Sequence, residues 1–121
     1  FDYGFVPQTL WDDGDALDVV LLTTVPLFPG LLVRARPVAI LPMVDGGEAD
    51  EKVIAVPSDD PRFADIKDLT DLNKHQLKEI AHFFVTYKKL QNKEVSVGEF
   101  EGRAAAEAAF ERARKLYNDS K

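Results

Sequence analysis

The chain contains no cysteine. Disulfide bonds and thiolate catalysis are therefore excluded, and a reducing compartment is the natural environment of such a protein. Long hydrophobic runs are also missing, because every apolar stretch is far shorter than the roughly 20 residues that cross a bilayer. No charged and then apolar leader opens the sequence. These absences predict a soluble, cytoplasmic protein without a membrane partner.

The chain also has few positively charged residues. Its 15 Lys and Arg are outnumbered by 21 Asp and Glu, which gives a formal net charge of −6. An acidic chain is a poor general binder of nucleic-acid backbones. A basic stripe with interleaved aromatic residues, which would favour a nucleic-acid-binding barrel, is also missing. The balance fits an enzyme that recruits metal cations. At 121 residues the chain can bury a real core, and we expect one domain spanning residues 1–121.

The first half of the chain has the pattern of strands and the second half that of helices. Apolar, β-branched runs predict strands at 17–23, 31–44 and 51–56, with turns at Pro26, at Pro29-Gly30 and over 45–50. Such short strands favour a small barrel or sandwich over a parallel sheet. Helical spacing predicts one helix that begins after an Asn73 cap and a second over 106–117. The predicted architecture is a β core with two helices packed outside it.

The densest chemical signal is the acidic run Asp12-Asp13-Gly14-Asp15-Ala16-Leu17-Asp18, which directly precedes an apolar stretch. Clustered carboxylates repel one another unless a cation offsets them, and oxygen ligands suit Mg²⁺ or Mn²⁺. An EF-hand loop starting at Asp13 is excluded, because it requires Gly where Asp18 stands and Glu where Thr24 stands. A solvated acidic turn is the competing interpretation.

A second acidic cluster precedes the third predicted strand and contains Asp45, Glu48, Asp50 and Glu51. Alone it is typical of a solvated hairpin loop. Two acidic clusters that both border buried strands favour convergence on one cation-rich site. The adjacent Lys52 suits a phosphate ligand better than a carbohydrate.

Separate blocks of sequence also follow one another in the order and at the spacing of a known family. They are Tyr3-Gly4-Phe5, Asp13-Gly14-Asp15-Ala16-Leu17-Asp18-Val19, Arg36-Pro37-Val38, Asp45 with Asp50-Glu51-Lys52, and His82-Phe83-Phe84 with Tyr87-Lys88. The set resembles the soluble family I inorganic pyrophosphatases, whose signature runs Asp-x-Asp-Pro-x-Asp-Val. The resemblance covers essentially the whole chain.

The resemblance implies an α+β fold, with a five-stranded OB-type β-barrel and helices packed against it. It implies hydrolysis of pyrophosphate to two orthophosphates through a metal-activated water, with Mg²⁺ as cofactor and Mn²⁺ or another divalent cation able to replace it. It also implies a homo-oligomer, which is a hexamer in most microbial members. By position, the proton acceptor is Asp15, the metal ligands are Asp13, Asp18, Asp45 and Asp50, and the substrate-binding residues are Tyr3, Lys52, Tyr87 and Lys88.

Elementary chemistry agrees with these roles. Hydroxide is repelled by pyrophosphate unless cations neutralise both, and a carboxylate such as Asp15 can accept the proton of the attacking water. Lysines supply point charges to phosphate oxygens, and tyrosines supply hydroxyl donors. Without the resemblance, Tyr87 would be interpreted as a core aromatic of its helix and Lys88 as a solvated lysine.

The sequence departs from the family in two ways. Ala16 stands where proline is usual, which loosens the turn and changes no ligand. About fifty residues that precede the Tyr-Gly-Phe block in the family are missing, and a barrel without its leading strands has an unpaired edge. We therefore expect an N-terminally truncated chain with an incomplete barrel. The alternative functions are a non-catalytic barrel domain that binds divalent metal or phosphate, and an inactive fragment of the enzyme.

Overall fold

The structure is a computed structural model that describes residues 1–24 and 27–121. The turn predicted at Pro26 lies outside the described residues. Within these two ranges the chain forms strands β1 (Asp2–Phe5), β2 (Asp18–Leu21), β3 (Ala35–Leu41), β4 (Met43–Asp45), β5 (Glu48–Ala49), β6 (Lys52–Pro57), β7 (Val95–Val97) and β8 (Glu101–Gly102), and helices α1 (Lys74–Leu90) and α2 (Arg103–Asp119). Between β6 and α1 the chain forms two short 3₁₀ helices, Pro61–Phe63 and Leu69–Asp71.

The strands form two sheets that continue into each other. The larger sheet has the order β1-β2-β6-β3-β8, and the smaller has the order β5-β4-β7. The strands β2 and β6 are parallel, and the other described pairs are antiparallel. Only Pro42 separates β3 from β4. The combination of a largely antiparallel sheet with two helices is the α+β class that the sequence predicts.

The strand predictions are correct in place and wrong in extent. The strand predicted over 31–44 begins only at Ala35 and is divided at Pro42, because proline has no N–H to donate to a neighbouring strand. The chain before it turns at Gly30, which has a φ of +88°, and leaves Leu32 84% exposed. The predicted strands at 17–23 and 51–56 are β2 and β6. The sequence does not predict β1, β5, β7 and β8, which have two to four residues and are too short to carry a clear periodic pattern.

Each face of the large sheet is covered by one helix. Helix α1 begins after Asn73, whose side-chain oxygen accepts hydrogen bonds from the N–H groups of His75 and Gln76, as the predicted cap requires. It buries Leu77, Ile80 and Phe84 in the main core. Helix α2 covers the opposite face with the small residues Ala106, Ala109 and Ala113, which pack with Trp11, Leu17, Ile40 and Val53.

Burial on both faces explains the apolar sequence of β6. Val53 points to the α2 side and Ile54 to the α1 side, and both are at most 4% exposed. A strand in such a position has a continuous apolar run rather than an alternating one. The central strand therefore holds its first residue, Lys52, rigidly at the edge of the core. Among the described residues, neither helix has the length and apolar character needed to cross a membrane.

Candidate active site

Strand register brings Tyr3, Asp18 and Lys52 together. In the parallel pair, Asp18 of β2 lies opposite Lys52 of β6. The Lys52 ammonium lies 2.9 Å from the Tyr3 hydroxyl, 2.5 Å from Asp18 Oδ2 and 2.8 Å from Asp50 Oδ1. An ammonium has three N–H donors, so these three oxygens satisfy all of them. Lys52 is only 1% exposed, and this full set of partners allows its charge to be buried.

The acidic run supplies the other carboxylates of the site. Gly14 adopts a φ of +87°, which turns the loop and places the backbone N–H of Asp15 3.0 Å from Asp13 Oδ1. Asp13, Asp18 and Asp50 each offer one carboxylate oxygen, and these oxygens lie within 4.8 Å of one another. A set of hard oxygen donors at this spacing fits a divalent cation such as Mg²⁺.

A second ion pair lines the same cavity. Lys88, in the last turn of α1, places its ammonium 2.7 Å from Asp45 Oδ2 at the end of β4, and both side chains are 15% exposed. The hairpin that follows Asp45 turns at Gly46 and Gly47, both with positive φ. The Gly46 N–H donates to the Glu94 carbonyl at 3.1 Å, which ties this hairpin to the chain just beyond α1.

One cavity of about 720 Å³ contains nearly all of the predicted site residues. Eight of the nine line it, namely Tyr3, Asp13, Asp15, Asp18, Asp45, Asp50, Lys52 and Lys88. Tyr87 is not among the lining residues that the structure describes. Its ring stacks on Phe83 at 5.8 Å between centroids, and the residue is 47% exposed. Substrate contact by Tyr87 therefore stays a prediction.

Part of the cavity wall consists of residues to which the sequence analysis gave no role. Asn92, Lys93 and Glu94 follow α1 and line it together with Gly46 and Glu48. Asn92 has a φ of +56°, the left-handed conformation that asparagine adopts more readily than most residues after a helix. An asparagine just beyond a predicted helix was the available signal that the chain turns back here.

Burial and charge set the ionisation of the site. Burial raises the pKa of Tyr3 to about 12, although the Lys52 ammonium acts in the opposite direction, so the hydroxyl keeps its proton. Burial alone would raise the pKa of Asp50, but its hydrogen bond and charge interaction with Lys52 bring that pKa below its usual value. Burial raises the pKa of Asp13. For Lys52, burial opposes the charge, yet hydrogen bonds to Asp18, Asp50 and Tyr3 raise the pKa and keep the ammonium charged.

A cavity that joins clustered carboxylates to lysines is typical of enzymes that act on phosphates with the help of divalent cations. Comparison with known proteins gives the family. The sequence model of the family described as "Inorganic pyrophosphatase" matches residues 1–118. A protein of that name from Halalkalibacterium halodurans is 51% identical over 105 residues, which are 87% of this chain and 64% of that protein. One from Geobacillus stearothermophilus is 46% identical over 120 residues, 99% of this chain and 73% of that protein.

Comparison with solved structures gives the same family. The inorganic pyrophosphatase of Helicobacter pylori matches with a TM-score of 0.91 at 47% identity, over 96% of this chain and 70% of that chain. The enzyme from Thermus thermophilus matches with a TM-score of 0.92 at 42% identity, over 97% of this chain and 69% of that chain. The chain belongs to the inorganic pyrophosphatase family.

The predicted family, its enzyme class and the OB-type α+β fold are therefore confirmed. The chain matches only part of its relatives' length. The chain spans 64% of the Halalkalibacterium protein and 73% of the Geobacillus protein.

Proposed function

We propose that this protein hydrolyses inorganic pyrophosphate to two orthophosphates with a divalent cation, preferably Mg²⁺. The observation that carries the proposal is one cavity in which carboxylate oxygens of Asp13, Asp18 and Asp50 lie within 4.8 Å of one another beside Lys52 and Lys88. When bound, the cation would neutralise the negative charge of the diphosphate and lower the pKa of water in the site.

The other roles in the reaction belong to residues of this chain. Asp13, Asp18 and Asp50 hold the cation, and Asp45 holds a further one associated with substrate. Lys52 and Lys88 direct positive charge at the phosphate oxygens as the diphosphate charge moves onto the leaving phosphate. The protonated hydroxyl of Tyr3, which accepts its hydrogen bond from Lys52, keeps its own O–H free to donate to a phosphate oxygen.

Asp15 accepts the proton of the attacking water. Its carboxylate is exposed to the cavity, and its backbone is fixed by the hydrogen bond from its N–H to Asp13 Oδ1. This anchor holds the general base next to a metal ligand, so that the base and the water are positioned together. Because the side chain is exposed, the proton it accepts can leave to solvent.

Two further expectations belong to the same proposal, one from composition and one from the family resemblance. The protein acts in the cytoplasm, without a nucleic-acid or membrane partner. It forms a homo-oligomer, with a hexamer favoured for the full-length protein. Size-exclusion chromatography with light scattering tests the assembly: a molar mass of about six times the protomer supports a hexamer, and a monomer contradicts the expected oligomer.

The test is phosphate release from pyrophosphate with Mg²⁺ and with EDTA, in the wild type and in Asp15→Asn. Loss of a general base lowers the rate about 10²- to 10⁴-fold, whereas Mg²⁺ binding measured by calorimetry should change little. Asp12→Asn is the matched control, because Asp12 lies in the same acidic run but pairs with Arg112 at 2.5 Å and does not line the cavity. Its activity should match the wild type.

Two outcomes contradict the proposal. Unchanged hydrolysis in Asp15→Asn would remove the general base from the assignment. A wild-type protein that binds Mg²⁺ and releases no phosphate would support the non-catalytic metal-binding alternative.

A further inference from the structure

Two of the three lysines that line the cavity, Lys52 and Lys88, bind carboxylates that we propose as metal ligands. Lys52 contacts Asp18 and Asp50, and Lys88 contacts Asp45. A divalent cation and an ammonium seek the same carboxylate lone pairs and repel each other. The cation must therefore share these carboxylates with a lysine or displace it.

The two lysines differ in how firmly they are held. Lys52 has three oxygen partners and is 1% exposed, at the rigid start of β6. Lys88 has Asp45 as its carboxylate partner among the described ion pairs, and it lies near the C-terminal end of α1. Its flexible side chain can reorient about several bonds without moving the helix. Lys88 is therefore the lysine that can exchange.

We propose that Lys88 is a resident counter-ion of Asp45, that a divalent cation displaces it, and that the released ammonium then binds phosphate. The inference rests on the proposed function, because it takes Asp45 as a metal ligand and phosphate as the anion. It adds a coupling: the cation frees the lysine for the anion, and an anion that holds the lysine leaves Asp45 open to the cation. By linkage, each ligand raises the affinity for the other by the same factor.

The first test is calorimetric titration of the intact chain with Mg²⁺ alone and then with Mg²⁺ in saturating inorganic phosphate, at constant ionic strength. Without phosphate, Lys88→Gln should bind Mg²⁺ about two- to fivefold more tightly than the wild type, the range expected of a partly exposed ion pair. Phosphate should tighten Mg²⁺ binding to the wild type, and this enhancement should be lost in Lys88→Gln.

Lys89→Gln is the matched control. It removes the same charge from the next residue of α1, and Lys89 does not line the main cavity or take part in a described ion pair. Its Mg²⁺ affinity and its phosphate enhancement should both follow the wild type. Equal Mg²⁺ affinities in Lys88→Gln and Lys89→Gln, or a phosphate enhancement that survives in Lys88→Gln, would overturn the exchange.

A second variant opens the same ion pair from the other side and guards against a folding defect in the first. Asp45→Asn releases Lys88 without removing it, so phosphate titrated without Mg²⁺ should bind about two- to fivefold more tightly than to the wild type. Unchanged or weaker phosphate binding overturns the proposal. Failure of the proposed function is distinct, because the wild type would then release no phosphate from pyrophosphate whatever the variants bind.

Discussion

Lys52 and Asp18 lie opposite each other on parallel strands, and their charged atoms are 2.5 Å apart at the edge of the core. Asp50 completes the arrangement at 2.8 Å from the same ammonium. One cation thus compensates two carboxylates where only 1% of Lys52 and 7% of Asp50 reach solvent. Removing one partner of such a buried pair leaves the other charges without compensation.

Lys52→Met is therefore expected to lower the free energy of unfolding by about 3–5 kcal/mol in EDTA, measured by urea denaturation. The double variant Lys52→Met/Asp50→Asn should be more stable than the sum of the two single losses predicts, because it removes both members of the pair. Lys78→Met, at an exposed position of α1, is the control and should change stability by no more than about 0.5 kcal/mol. A loss below about 1 kcal/mol in Lys52→Met would show that the ion pair is not buried as described.

The hydrogen bonds of Asp68, which does not line the cavity, predict a pH-dependent contribution to stability. Its Oδ1 accepts hydrogen bonds from the backbone N–H of Arg103 at 2.9 Å and of Leu69 at 2.7 Å, which lowers the pKa of this carboxyl. A lowered folded-state pKa contributes stability that is present above the ordinary aspartate value and is lost as the pH falls through the lower one.

Asp68→Asn keeps an acceptor and removes the charge. It should destabilise the protein at pH 7, and the difference from wild type should shrink below about pH 4, as urea midpoints at pH 7 and pH 3 would measure. Gly102→Ala should disturb the same contact, because its Cβ would lie 2.7 Å from Asp68 Oδ1. Asp59→Asn, at an exposed aspartate, is the control. A deficit in Asp68→Asn that is equal at both pH values would contradict the assignment.

Packing of α1 against the sheet predicts a large effect at one helix position and little at another. Ile80 is 0% exposed in the main core, whereas Leu90, at the end of the same helix, is 80% exposed. Ile80→Ala should cost about 2–5 kcal/mol, through lost burial and the cavity that remains. Leu90→Ala should stay within about 0.5 kcal/mol of wild type. Comparable losses in the two variants, measured by urea unfolding, would place α1 differently on the sheet.

A separate apolar depression of about 740 Å³ lies beside edge strand β1. Three of its lining residues are large, apolar and strongly exposed: Phe5 at 66%, Phe28 at 68% and Leu32 at 84%. Contiguous apolar surface of this kind binds hydrophobic dyes and favours association. The fluorescence of anilinonaphthalene sulfonate should therefore rise on mixing with the folded protein.

Leu32→Gln should lower that dye fluorescence. Leu90→Gln is the matched control, because Leu90 is as exposed but does not line the depression, and it should leave the signal near the wild-type level. Equal signals from all three proteins would mean that the dye binds elsewhere. Both variants should keep the wild-type melting temperature, since neither position is buried.

The sequence predicted the local elements well where their patterns repeat within a few residues. Helical spacing located α1, and the Asn73 cap set its start, because both signals act between neighbours along the chain. Strand ends were less accurate, since they depend on a partner strand: the stretch before Ala35 is as apolar as β3, yet it remains outside the sheet. The short strands β7 and β8 form only because β4 and β3 are present to pair with them.

For the site too, the sequence predicted the residues but not the contacts between them. The acidic runs and Lys52 were evident as chemistry, and eight of the nine predicted residues line one cavity. Their ion pairs were not evident, because Lys52 and Asp18 meet only through the pairing of β2 and β6. Tyr87 was predicted from the family resemblance, and its ring stacks on Phe83, so its contact with substrate stays a prediction.

The sequence by itself determined the side chains that can bind a cation and a phosphate, the two helices and the main strands, and the family to which they belong. The tertiary structure alone decided that Lys52 and Lys88 are each held by a carboxylate, and that Lys52 is firmly enclosed while Lys88 has one such partner among the described residues. The physical reason is the distance along the chain over which each effect acts. Composition and periodicity act over a few residues, whereas the register that sets Asp18 against Lys52 depends on strands brought together by the burial of both sheet faces.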